Sequence, residues 1–327
     1  MDMDLFLNID RSIIEAIQAV GWLELPMQVI TQLGSEVFFL LSVSLLYWCV
    51  NSRLGIRVAL ILLLSTSLNS VLKLAFASPR PYWFRGPGEI GEMEASFGLP
   101  SAHAQSAAAV WGLIAKWQRQ GWIKIVALLL IFLIGLSRLY LDVHFLIDVL
   151  TGWLVGAVVL LLFSRFAQPV AQWFQRYRLK QQMAIALISS LLLLLPSLLV
   201  AQIREIWQFP LPWMERLQQI SPEASPPPFS LEMPVSVAGS WFGLVIGLLW
   251  LSQRQPWDPK GTLQTRFYRY LVGIVVAVAL WAGLSALFPD GSTPLAYILR
   301  YLRYTLVGGW IAAGAPIVFR WMGRSRS

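Results

Sequence analysis

The sequence predicts an all-α protein, a polytopic membrane helical bundle of about nine transmembrane helices. Three observations predict it. Of the 327 residues, 57% are hydrophobic, and only 13% are charged. Soluble domains carry roughly 25% charged residues, so a soluble globule and a disordered chain are both excluded. The lysines and arginines fall in short clusters between apolar runs, which is a pattern of membrane topology and not of a basic nucleic-acid face. The net charge of +8 therefore implies the bilayer as partner and no nucleic acid. The single cysteine, Cys49, lies inside an apolar run. It allows no disulfide within the chain and no cysteine zinc site, and reads as a small buried hydrophobe.

The elements follow in order. Residues 1–25 carry Asp2, Asp4 and Asp10 where a signal peptide would be basic. Leu5, Ile9, Ile13, Ile17 and Val20 recur at helical spacing, which predicts an amphipathic interfacial helix or, equally, a helix packed on the bundle. Spans are expected at 27–50, 54–76, 101–118, 122–141, 144–165, 183–203, 236–252, 268–288 and 297–320. The connections 51–53 and 119–121 are tight and make antiparallel hairpins. The polar, basic segment 166–182 divides the chain into a five-span part, 26–166, and a four-span membrane extension, 167–327. Segment 204–235 holds Ser225-Pro226-Pro227-Pro228 and cannot be helical throughout.

With the N-terminus outside, 16 of the 25 lysines and arginines fall in inner loops, but of the 17 acidic residues only Asp258 does. One orientation thus satisfies every loop and places the C-terminus in the cytoplasm. The chain has no glycosylation sequon, which fits an integral protein of a bacterial inner membrane.

The chemistry gathers in one half of the chain. The two histidines, His103 and His144, open the third and fifth spans on the outer side. Lys73 and Arg80 close the second span and Arg138 the fourth, on the same side. Charge at such depth is costly unless it serves a site or a pair. A lysine with two arginines suits an oxyanion such as phosphate. Ser101 and Ala102 stand where a helix begins, and free N–H groups there bind anions. Asp148 follows His144 by four residues, one helical turn, so its carboxylate can fix the imidazole tautomer. One histidine backed by a carboxylate and one without suggests a nucleophile and a general acid.

Three segments carry this pattern: Lys73 to Arg80-Pro81, Pro100-Ser101-Ala102-His103, and Ser137-Arg138 to His144 and Asp148. Together they resemble the signature of the type 2 phosphatidic acid phosphatase superfamily, whose active site is shared with vanadium haloperoxidases. The family pattern is Lys-x6-Arg-Pro, Pro-Ser-Gly-His and Ser-Arg-x5-His-x3-Asp. The departure is Ala102, which stands where most members have glycine; the position supplies a backbone N–H, so alanine crowds the site without abolishing it. Sphingosine-phosphate phosphatases are similar in having a residue other than glycine there. Arg80-Pro81-Tyr82-Trp83 and the span count resemble glucose-6-phosphatase.

The resemblance implies a phosphatase core over residues 26–166 and the following roles. His144 attacks phosphorus and forms a phosphohistidine, Asp148 orients it, and His103 protonates the leaving oxygen. Lys73, Arg80, Arg138, Ser101 and the Ala102 N–H hold the phosphate oxygens, with Ser137 joining them or supporting Arg138. It implies no cofactor and no metal. A haloperoxidase is disfavoured, because those relatives are mostly soluble and need vanadate.

The remaining polar groups have blander readings. Tyr82 and Trp83 are expected at the membrane interface, or along the route by which substrate enters. Asp142 reads as a solvated turn residue. Glu89, Glu92 and Glu94 read as a solvated acidic loop, with a sharper alternative as a lid against highly anionic soluble substrates. Arg300 and Arg303 read as outer-face anchors. The function expected is hydrolysis of a lipid phosphate on the extracytoplasmic side. The rivals are a phosphotransferase using a lipid or sugar acceptor, and a lipid transporter or scaffold on the same fold.

Overall fold

The computed structural model describes residues 3–85, 94, 96–204, 210–213, 215, 229–254, 256–289 and 291–324. Among them every regular element is helical. They are α1 Met3–Gln18, α2 Glu24–Gln32, α3 Glu36–Leu45, α4 Ser52–Phe76, the single turn α5 Tyr82–Arg85 and α6 Ala102–Trp117. There follow α7 Gly121–Tyr140, α8 Leu146–Gln175, α9 Leu179–Arg204 and α10 Glu232–Ser252. The last two are α11 Leu263–Leu287 and α12 Pro294–Met322, each containing a π-turn.

Among the described residues, seven helices are long and apolar enough to cross a membrane, or up to eight if one bent pair counts as a span. The expected count of nine is therefore approximate. The first expected span, 27–50, is broken into α2 and α3, because the chain turns at Gly34 and Ser35. The Ser35 hydroxyl accepts from Phe38 N at 3.2 Å and starts the second piece. The third expected span is a helix of 16 residues, about 24 Å at 1.5 Å per residue and short for a 30 Å core.

The chain forms two compact units that are interleaved along the sequence. The first comprises Met1–Phe38, Leu68–Leu161 and Leu199–Ser230. Its central helix is α6, in which residues 104 to 110 are buried without a gap, so every face of that stretch is covered. Small side chains permit this. A Cβ on Gly156 of α8 would lie 2.4 Å from the Gln105 carbonyl, and one on Gly152 2.7 Å from the Ser101 carbonyl. The exposed stripe of α7, including Ile125, Leu128 and Phe132, is a face for lipid, since such a patch would be unstable in water. Helix α1 packs at the same end of the bundle as the start of α8. Leu146 N donates to the buried Asp10 carboxylate at 2.7 Å, and Gln18 Nε2 donates to the Tyr140 carbonyl at 2.7 Å.

The second unit comprises Phe39–Ser67, Leu162–Leu198 and Leu231–Ser327. Here α10 lies against α12 along Gly239, Gly243 and Gly247, where added Cβ atoms would meet Tyr301 O at 2.4 Å, Thr305 O at 2.1 Å and Ala312 Cβ at 2.7 Å. Cys49 is a buried free thiol in an apolar cluster with Trp48, Trp257 and Phe319. Arg300 pairs with Glu232 at 2.7 Å. Arg303 is 5% exposed, so it packs inside the unit and is not a surface anchor.

Candidate active site

All three sequence motifs come together within the first unit. Lys73 sits in the last turn of α4, Arg80 follows in the connection to α5, Ser101 caps α6, Arg138 sits in the last turn of α7, and His144 and Asp148 flank the start of α8. The Arg80 guanidinium, fully buried, is the centre of the network. Its Nε donates to Ser96 O at 2.6 Å and one terminal nitrogen donates to Val143 O at 2.9 Å. The other donates to Glu94 Oε2 at 2.6 Å and Ser96 Oγ at 3.0 Å. Lys73 Nζ donates to Ser96 Oγ at 2.9 Å and to Phe97 O at 2.7 Å. Arg138 donates from one terminal nitrogen to Thr31 Oγ1 at 2.6 Å and from the other to Glu94 Oε1. Lysine and both arginines thus meet around one small polar space.

His144 is held from both sides. Its Nε2 lies 3.3 Å from an Arg80 terminal nitrogen, and its Nδ1 lies 3.2 Å from Asp148 Oδ2. Arginine can only donate, so Nε2 is the acceptor and Nδ1 carries the proton toward Asp148. That tautomer leaves the Nε2 lone pair on the cationic side. Burial holds the imidazole pKa well below its ordinary value, and the Arg80 charge lowers it further; the ring is therefore a neutral base at physiological pH. Asp148 is itself fixed: its Oδ2 also accepts from Phe145 N at 3.0 Å. A Cβ on Gly98 would come within 2.9 Å of that oxygen, so a larger residue there would displace the carboxylate.

The start of α6 supplies the remaining parts. Ser101 is fully buried and its hydroxyl accepts from Ala104 N at 3.5 Å. Its own N–H donates to Asp148 O at 2.9 Å, which locks the start of α6 to α8. Asn69 supports the same segment, donating to Pro100 O at 3.1 Å and to Gln105 Oε1 at 2.8 Å. Ala102 is the first helical residue, so its N–H has no acceptor within the helix and is available to an anion. His103 follows it and packs beside Gly34, where an added Cβ would lie 2.8 Å from the imidazole Cδ2.

Three sequence readings meet a different placement. Ser137 turns onto its own helix, donating to Ile134 O at 2.7 Å. Tyr82 and Trp83 are 8% and 1% exposed and pack with Phe97 and Tyr140. Tyr82 instead braces the acidic segment, donating from its hydroxyl to Glu94 O at 2.9 Å. Glu94 itself turns inward to the two arginines, whereas Glu89 and Glu92 lie outside the described residues. Burial alone would raise the Glu94 pKa, but Arg80, Arg138 and Lys73 together hold it well below the usual carboxylate range. Asp142 takes a left-handed turn conformation, φ 55°, which aspartate tolerates better than most residues.

Sequence reasoning missed Glu94, Ser96 and Thr31 as members of the network. Ser96 had a weak signal in its closeness to Pro100 and Ser101. Thr31 had none, since it lies 107 positions from the arginine it binds.

A buried cationic space against a carboxylate-backed histidine, built at one end of a helical membrane bundle, defines the class: membrane proteins that handle phosphate. The chain carries a PAP2 superfamily domain followed by that superfamily's transmembrane extension. The family's model matches residues 54–172. A second, described as PAP2 superfamily phosphatase, transmembrane extension, matches residues 235–327. Among its relatives is phosphatidylglycerophosphatase B of Bacillus subtilis (strain 168), 28% identical over 47% of this chain and 80% of that one. Human glucose-6-phosphatase 3 is 27% identical over 90% of this chain and 89% of that protein. Mouse sphingosine-1-phosphate phosphatase 2 is 32% identical, over 40% of this chain and 38% of its own length.

Proposed function

We propose that the protein is a metal-independent phosphatase that hydrolyses a phosphomonoester or diphosphate, with a lipid phosphate as substrate. The observation that carries the reading is His144, whose Nε2 lone pair faces the cationic space while Asp148 backs Nδ1. In the first step Nε2 attacks phosphorus, the N–P bond forms and the bond to the leaving oxygen breaks. His103, from the start of α6, gives that oxygen its proton. The charge on the three phosphoryl oxygens is met by Lys73, Arg80, Arg138, the Ser101 hydroxyl and the Ala102 N–H. In the second step water attacks phosphorus, His103 takes its proton, and the N–P bond breaks to release inorganic phosphate. The cations do the work that a divalent metal would otherwise do, and they repel one.

The charge asymmetry of the loops supports an extracytoplasmic site in an inner membrane. The lipid assignment is supported by two relatives whose names carry lipid phosphates. A second reading, a soluble sugar phosphate, is favoured by one observation: human glucose-6-phosphatase 3 matches along 90% of this chain, extension included.

The test is phosphate release by the purified protein in detergent with EDTA present. The panel holds phosphatidic acid, phosphatidylglycerophosphate, a polyprenyl diphosphate, sphingosine phosphate and glucose-6-phosphate, with His144→Ala beside the wild type. Release that survives EDTA and is lost in the variant is expected. Release that needs added metal, or survives His144→Ala, overturns the mechanism. The preferred substrate decides between the lipid and the sugar.

A further inference from the structure

The Glu94 carboxylate lies between the Arg80 and Arg138 guanidiniums. One oxygen accepts from Arg80 at 2.6 Å and the other from Arg138. Those guanidiniums come from the connection after α4 and from the last turn of α7, so the carboxylate bridges two separate elements, as two oxygens of a phosphate would. Beside it, Ser96 Oγ links Arg80 to Lys73. Arg80 and His144 are fully buried and Arg138 nearly so, whereas the Glu94 side chain is 25% exposed. Glu94 is therefore the most exposed member of this group.

We propose that Glu94 is a specificity-determining residue: its carboxylate is an internal anion that fills the phosphate seat in the free protein and must be displaced by substrate. This rests on the reading of that cationic space as a phosphate seat. Charge decides which ligands succeed. A single negative charge only replaces the one already present. A phosphomonoester brings two at neutral pH and neutralises more of the three cations. A phosphodiester carries one. The headgroups of ordinary phospholipids are phosphodiesters, so Glu94 keeps the bulk of the membrane out of a seat that opens beside it. The competing explanation is a static brace, in which Glu94 holds the guanidiniums in place and aids the binding of any anion.

The two make opposite predictions for affinity. Purified wild type, Glu94→Gln and Glu94→Asp are titrated in detergent with inorganic phosphate and with dimethyl phosphate, a monoanionic diester, by calorimetry. Glutamine is expected to tighten phosphate binding roughly tenfold or more, and to make dimethyl phosphate binding measurable where wild type shows none. Aspartate is too short to bridge both guanidiniums and is expected to tighten phosphate about threefold. Should Glu94→Gln fail to fold, the aspartate variant carries the test alone. Phosphate binding that is unchanged or weaker in the folded variants establishes the brace and overturns the proposal, while the seat stands. Phosphate binding absent from wild type and variants alike overturns the seat, and the proposal with it.

Discussion

Helix α8 admits the start of α6 at Gly152 and Gly156, and helix α10 admits α12 at Gly239, Gly243 and Gly247. Both contacts space glycines by four residues, one turn apart on a single helix face, so that backbones approach closely where apolar lipid gives no hydrophobic drive. They differ in what the approach carries. In the first, close packing brings Ser101 against Asp148 and sets a helix start, two histidines and three cations at one end of the unit. In the second it closes a helix–helix interface in which Thr305 Oγ1 donates to Gly239 O at 3.2 Å, with Arg300 and Glu232 paired at one end. The same backbone device serves the candidate site in one place and cohesion in the other, and the polar residues at the helix ends decide which.

The contrast can be broken at several strengths. His144→Ala should lower phosphate release by about 10⁴-fold, the scale for losing a nucleophile, with melting temperature near wild type. A comparable loss from a substitution on the α10–α12 interface would dissolve the distinction between the two regions. Asp148→Asn should lower kcat about a hundredfold with KM little changed, because it disturbs the tautomer and not the phosphate seat.

Gly156→Leu and Gly243→Leu form a matched pair, each forcing a side chain into a backbone carbonyl. Each should cost about 1–3 kcal/mol of stability from overpacking. Turnover per folded molecule should drop only for Gly156→Leu, since α6 carries Ser101 and His103. Thermal unfolding beside turnover checks both. Equal turnover losses would show that the second interface also sets the site.

The pH dependence of stability tests the charged end directly. Burial holds the His144 pKa well below its ordinary value near 6.5. Below about pH 6.5 the unfolded chain takes a proton that the folded imidazole refuses, so stability falls as pH falls. Glu94, whose folded pKa is depressed, adds a second loss below its unfolded value, as acid protonates a carboxylate the fold prefers ionised. The difference between wild-type and His144→Ala melting curves from pH 8 to 4 isolates the first loss, and the difference between wild-type and Glu94→Gln curves isolates the second. The smallest effect belongs to Thr31→Val, which removes the hydroxyl that accepts from Arg138. About 1 kcal/mol is at stake, a KM increase of roughly fivefold with kcat little changed, read from steady-state kinetics.

The sequence by itself determined the membrane class, most of the spans, and the motif residues of the site. These are legible because a charged or imidazole side chain at the end of an apolar run has few stable explanations in a bilayer, and because the i, i+4 spacing of His144 and Asp148 is a local geometric fact. Only the tertiary structure decided the break between α2 and α3, where Gly34 yields space to His103 from a distant helix. It alone turned Glu94 from a loop charge into the ion-pair partner of Arg80 and Arg138, and Tyr82 and Trp83 from interface aromatics into core. Thr31 meets Arg138 across 107 residues, and no periodicity records such a pair. Spacing along a chain encodes which face of one helix a residue shares; which other helix fills the space beyond that face is fixed by packing, and packing is a property of the whole bundle.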